Sequence, residues 1–114
     1  MPPRNNPLRL NKLQLKTLCL LQELARHPES SSPIDDTGEV TISNLPHPHG
    51  DHFHVGRRVT LAKDATGLRN HAVWLALERK GLARSGFPFA ITLTAEGIRY
   101  DTGMEGSILV GEEH

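Results

Sequence analysis

Between Val59 and Tyr100 the chain reads VTLAKDATGLRNHAVWLALERKGLARSGFPFAITLTAEGIRY, and Gly67 and Gly81 divide that stretch into short, differently patterned segments. Few folds accommodate such a succession. Leu61, Ala62 and Ala65 put a small apolar face on a short helix, and Thr60 before it has the oxygen of an N-cap. Gly67 is expected to take the positive φ of a helix end, with Leu68 filling the angle to the next helix. Ala72, Val73, Ala76 and Leu77 recur at three-and-four spacing, which predicts a second helix from about Asn70 to Lys80, stopped by Gly81. After Leu82, Arg84 to Pro88 reads as a turn and AITLTAEGIRY as a strand.

These residues resemble the winged helix-turn-helix DNA-binding families at linked points: the Ala65-Thr66-Gly67-Leu68 turn, Val73 and Leu77 in the second helix, the Lys80-Gly81-Leu82 exit and the Leu93-Thr94-Ala95-Glu96-Gly97 close. The resemblance implies an α+β, mainly α fold, a winged helix-turn-helix with a His-rich loop or hairpin inserted before the helix-turn-helix. It also implies duplex DNA as partner. The second helix normally enters the major groove by its N-terminal part, which assigns base edges to Arg69, Asn70 and His71. Arg57, Arg58, Lys63, Arg79, Lys80 and Arg84 are then expected at phosphates. Trp74, one turn on, belongs either to the core or to the groove.

The length, 114 residues, fits one domain. Five aromatic residues among Phe, Trp and Tyr leave the core to Leu, Val, Ile and Ala. A single cysteine, Cys19, excludes an internal disulfide, and its place in a Leu-rich segment predicts a buried thiol in a reducing compartment. No apolar run approaches the roughly 18 residues of a membrane span, and the N-terminus has no signal-peptide core. The expected location is cytoplasmic, with no membrane partner.

Formal net charge is zero, but it is unevenly spread. Residues 1–27 carry five bases against one acid, and 57–100 carry eight against three; 28–56 hold five acids and no base, and 101–114 four acids and no base. The two basic segments are those assigned to the body of the domain, which favours nucleic acid as far as charge in sequence can.

Residues 1–10 are Pro-rich and polar, the pattern of a flexible arm. Asn11 with Gln14 fits a capping box, and Leu10 with Leu15 the accompanying hydrophobic staple, so a first helix is expected over 11–27. Leu13, Leu18, Leu20, Leu21 and Leu24 spread over more than half its circumference. Either the core covers all of them, or a second strip is left for a homodimer seam. The loop and insert assigned to 28–58 open on a stretch that is a loop by composition, His27 to Gly38 (HPESSSPIDDTG), and go on to the alternating strands EVTIS and DHFHVGRR, with Phe53 and Val55 on one face and His52 and His54 on the other. Pro46 to Gly50 is expected to join the two as a hairpin or broad loop. Residues 59–82 are the helix-turn-helix, 83–100 the wing and 101–114 an acidic tail whose Ile108, Leu109 and Val110 form either an edge strand or an apolar patch.

The insert NLPHPHGDHFHVG holds four of the seven histidines. Imidazole is the commonest protein ligand for transition metals, and His47, His49, Asp51, His52 and His54 are the candidate ligands for zinc or another transition metal. The spelling His47-x-His49-x-Asp51-His52 is also similar to the zinc motif of metallo-β-lactamase fold hydrolases, over six residues alone. The cluster is similar as well to the His-rich motif of ferric-uptake-type regulators, where it follows the DNA-binding domain instead of preceding it. Solvent-exposed loop histidines are the alternative to a metal site.

Three function classes follow. The first is a DNA-binding transcriptional regulator or accessory factor, with metal at the His cluster as its modulator. The second is a winged-helix protein-interaction module, favoured by the neutral total charge and the short second helix. A metal-dependent hydrolase is the remote third: no nucleophile pairs with a base in a recognisable motif, no Gly-rich phosphate loop is present, and the expectation is not an enzyme.

Overall fold

A computed structural model describes residues 6–111. The expectations for residues 1–5 of the arm and 112–114 of the tail lie outside the described residues.

Helix α1, Lys12–Leu24, begins as expected. Asn11 accepts from the Gln14 backbone at 2.8 Å while the Gln14 side chain accepts from the Asn11 backbone at 3.0 Å. Leu10 and Leu15 are both buried, as the staple requires. The helix stops three residues short of the expected end. Leu15, Leu18, Leu20, Leu21 and Leu24 are all buried, and Leu13 is half-buried. Elements packed around α1 therefore cover most of the second apolar strip. The arm is tied down over residues 6–10: Leu8 N donates to the Tyr100 hydroxyl at 3.1 Å, that hydroxyl donates to the Asn6 side chain, and Lys80 Nζ donates to Leu8 O at 2.6 Å.

The expected loop after α1 contains strand β1, Ser31–Ile34, paired antiparallel with β2, Glu39–Ile42. Pro33 hid it in the sequence, but β1 is an edge strand, where a missing N–H is tolerated. β2 then pairs with β7, Ala90–Leu93, and β7 with β6, Ala83–Gly86, giving a four-stranded sheet in the order β1-β2-β7-β6. The insert forms its own antiparallel sheet of β3 (Pro48–His49), β4 (His52–Val55) and β5 (Arg58–Leu61). The two alternating strands therefore do not pair with each other; they belong to different sheets.

The expected first helix of the helix-turn-helix is not an α-helix. Val59 to Leu61 lie in β5, and one 3-10 turn, Ala62–Asp64, follows. Their backbone groups are committed to the ladder with β4, and Val59 additionally bridges to Val110. Thr60 caps nothing: its side chain is buried and its hydroxyl has no hydrogen-bond partner among the described residues. Asp64 closes the turn against Lys16 of α1 at 2.6 Å. Gly67 does not adopt a positive φ either. Its missing side chain is needed for close packing, since a Cβ there would stand 1.9 Å from Thr17 Oγ1.

Helix α2, His71–Arg79, is capped by the Asn70 side chain, which accepts from Ala72 N at 3.0 Å. It ends in a Schellman motif, with Leu82 N bonded to Leu77 O and Gly81 N to Glu78 O, each at 3.0 Å. Trp74 belongs to the core: it is fully buried and its indole N–H donates to Leu68 O at 3.0 Å. The expected long strand stops at Leu93. Thr94 accepts from Gly97 N and donates to Gly81 O, starting the short helix α3, Ala95–Arg99. A last turn, α4 (Glu105–Ile108), buries Ile108 and Leu109. With 32% of the described residues in helices and 25% in strands, the fold is α+β built on two antiparallel sheets, and the expectation of a mainly α chain is overturned. Among the described residues, no helix is long and apolar enough to cross a membrane.

Candidate functional site

Helix α2 buries Val73, Trp74, Ala76 and Leu77 and turns His71, Ala72, Leu75, Glu78 and Arg79 outward. The β6–β7 hairpin is held beside its first turn by Phe87. That ring stacks on His71 with centroids 4.5 Å apart and meets Trp74 edge-on at 4.9 Å.

The three residues expected at base edges have internal roles. The Arg69 guanidinium donates to Pro46 O at 2.8 Å and to Leu45 O at 3.3 Å, so it anchors the segment entering the small sheet. Asn70 spends its side-chain oxygen on the cap of α2, and His71 leans on Phe87. Among the six cations expected at phosphates, three are engaged. Lys80 holds the Leu8 carbonyl, Arg58 pairs with Glu105 at 2.9 Å, and Arg84 pairs with Glu39 at 2.8 Å. The Arg84 guanidinium, through its hydrogen bonds, holds the Glu39 carboxyl below the usual carboxylate range, and Glu39 raises Arg84 in return. Arg57 in the β4–β5 turn, Lys63 in the 3-10 turn and Arg79 in α2 are exposed and make no ion pair among the described residues.

Apolar groups stand out on this surface instead. Leu75 is 38% exposed at the middle of the outward face of α2, and Phe89, beyond Pro88 at the hairpin tip, is 82% exposed. Sequence reasoning missed both. Leu75 lies out of phase with the buried face of α2, and Phe89 is a large apolar residue inside a two-Phe turn. Each was a readable signal.

The small sheet orders the histidines differently from a loop. Gly50 and Asp51 form a two-residue connection, with Gly50 at φ +69 in its first position, which glycine adopts without steric cost. Register then pairs His49 with His52 directly across β3 and β4, and His54 follows two residues on, on the same face. The ring centroids of His49 and His54 are 5.1 Å apart, those of His52 and His54 5.2 Å, and those of His49 and His52 6.2 Å. Asp51 stands at the tip with its carboxylate 3.6 Å from His52 Nδ1 and its side chain 95% exposed. His47 is not part of the triad's ring contacts; it lines a surface cavity of about 240 Å³ with His54, Glu29, Ser30 and Asn44. The six-residue hydrolase-like spelling is thus split by a turn. In the conformation described, the rings pack on one another, and among the described residues no group of three or more His, Cys, Asp or Glu is placed so that it could hold a metal ion.

No family model, no curated protein and no solved structure matches this chain.

Proposed function

We propose that this chain is a binding module that presents the outward face of α2 and the tip of the β6–β7 hairpin to an apolar groove on a protein partner. The observation that carries the reading is the exposure of Leu75 on α2 and of Phe89 at the hairpin tip, while Arg69 and Asn70 spend their side-chain hydrogen bonds within the chain. An exposed helix face with one large apolar anchor, ringed by His71, Glu78 and Arg79, suits recognition by insertion into a groove. Interfaces of this kind draw most of their energy from a few aromatic or aliphatic anchors, and a polar rim excludes water around them. A cytoplasmic setting belongs to the same proposal, supported by the buried unpaired thiol of Cys19.

Duplex DNA is the second reading, favoured by Arg57, Lys63 and Arg79, three exposed cations without an ion pair among the described residues. Three phosphate contacts give a weak, salt-sensitive affinity. Site-specific photo-cross-linking in cells, with the reactive side chain placed in turn at Leu75 and Phe89, tests the two together with a titration of random-sequence duplex. The protein reading expects both positions to yield the same discrete adduct, and duplex binding that stays negligible at low salt. No adduct at either position, with duplex affinity falling steeply as salt rises, would move the function to DNA.

A further inference from the structure

The hairpin of β3 and β4 carries a second site, independent of the α2 surface. We infer that His49, His52 and His54 form a three-histidine site for a borderline divalent transition-metal ion, zinc above all. Zinc–imidazole bonds of about 2.0–2.1 Å put each ring centroid about 3.2 Å from the ion, so three rings in tetrahedral arrangement stand about 5.2 Å apart, centre to centre. The observed separations are 5.1, 5.2 and 6.2 Å. The ring spacing suits one shared ion, and binding requires the side-chain torsions to turn the nitrogens toward it.

Two features make that turn easy. His49 and His54 are exposed and His52 is about one-third exposed, so alternative staggered rotamers are open to them without disturbing the core. The strand ladder holds the Cα atoms of His49 and His52 in register, so binding orders few further groups. Asp51 stands beside the triad at the hairpin tip, with its carboxylate 3.6 Å from His52 Nδ1. Imidazole alone, with no thiolate and no ring of carboxylates, selects zinc, nickel or copper over calcium and magnesium. The exposed side of the triad leaves the fourth position to water or to an incoming donor.

Calorimetric titration of the tag-free full chain with zinc is expected to give one ion per chain with micromolar or tighter affinity. Substituting cobalt is expected to produce the visible bands of a four-coordinate site. His49→Ala, His52→Ala and His54→Ala should each weaken binding by about 100-fold or more, beyond what loss of an outer-shell partner costs. Ring resonances of the three histidines in wild-type protein should move together up to one equivalent of zinc while those of His27 stay in place, a readout that needs no variant to fold. Affinity no better than millimolar, binding that survives all three substitutions, or ring shifts confined to other histidines would overturn the site.

Discussion

Thr17 of α1 and Gly67 touch so closely that a methyl group at residue 67 would stand 1.9 Å from Thr17 Oγ1. Leu13 Cδ1 would lie 3.3 Å away and Thr17 Cβ 3.2 Å, so the space is closed on more than one side. The segment leading to α2 is seated on α1 through this contact.

Gly67→Ala should therefore destabilise the fold by about 1–3 kcal/mol, the range for overpacking a filled interior. Thr17→Ala should recover part of it, because the clashing hydroxyl has no hydrogen-bond partner to lose among the described residues. A double-mutant cycle by urea unfolding is expected to show coupling of about 1 kcal/mol or more. Additive effects would place the strain elsewhere.

Arg69 is an anchor for Leu45 and Pro46 on this account. Arg69→Ala should lower stability by about 1–2 kcal/mol, the scale of charge-assisted bonds that are partly solvated. Urea denaturation measures it. A neutral effect on stability accompanied by a change in duplex binding would reassign the residue to a surface role.

Burial pushes the Cys19 thiol up from 9.0 to about 11. The folded state keeps its proton while the unfolded chain loses it, so the group's contribution is complete below pH 9 and declines as pH rises toward 11. At pH 10, about one pH unit into that window, the loss is on the order of 1 kcal/mol. The stability difference between wild type and Cys19→Ala should narrow by that amount from pH 8 to pH 10 in matched urea curves; parallel profiles would contradict the shift.

Leu75→Ser and Phe89→Ser remove exposed apolar groups that contribute little to the core. Thermal melts should place both within about 0.5 kcal/mol of wild type. A large destabilisation of either would mean that the residue packs on the fold rather than facing a partner.

What the sequence made legible was the local chemistry. The capping box at Asn11, the stop at Gly81, the alternation of β4 and the gathering of His52 and His54 on one face all depend on neighbours within a few residues. Long-range pairing was not legible. Leu61, Ala62 and Ala65 have apolar spacing compatible with a helix, but the ladder with β4 takes Leu61 into a strand and leaves one 3-10 turn after it. Pro33 reads as a breaker until β1 is known to be an edge. Arg69 reads as a DNA contact until the carbonyls of Leu45 and Pro46 are found beside it, more than twenty residues earlier in the chain. The same geometry divides the histidines, grouping His49, His52 and His54 and setting His47 in a neighbouring cavity.

Photo-cross-linking at Leu75 tests the central claim most directly, with a reactive side chain at Asp36 in the β1–β2 turn as the comparison. A discrete protein adduct from Leu75, abolished by Phe89→Ser and absent from Asp36, is the result expected of a protein-contact surface built on α2 and the hairpin tip. Equal labelling from both positions, or none from Leu75 in cells where the chain is abundant, would contradict it.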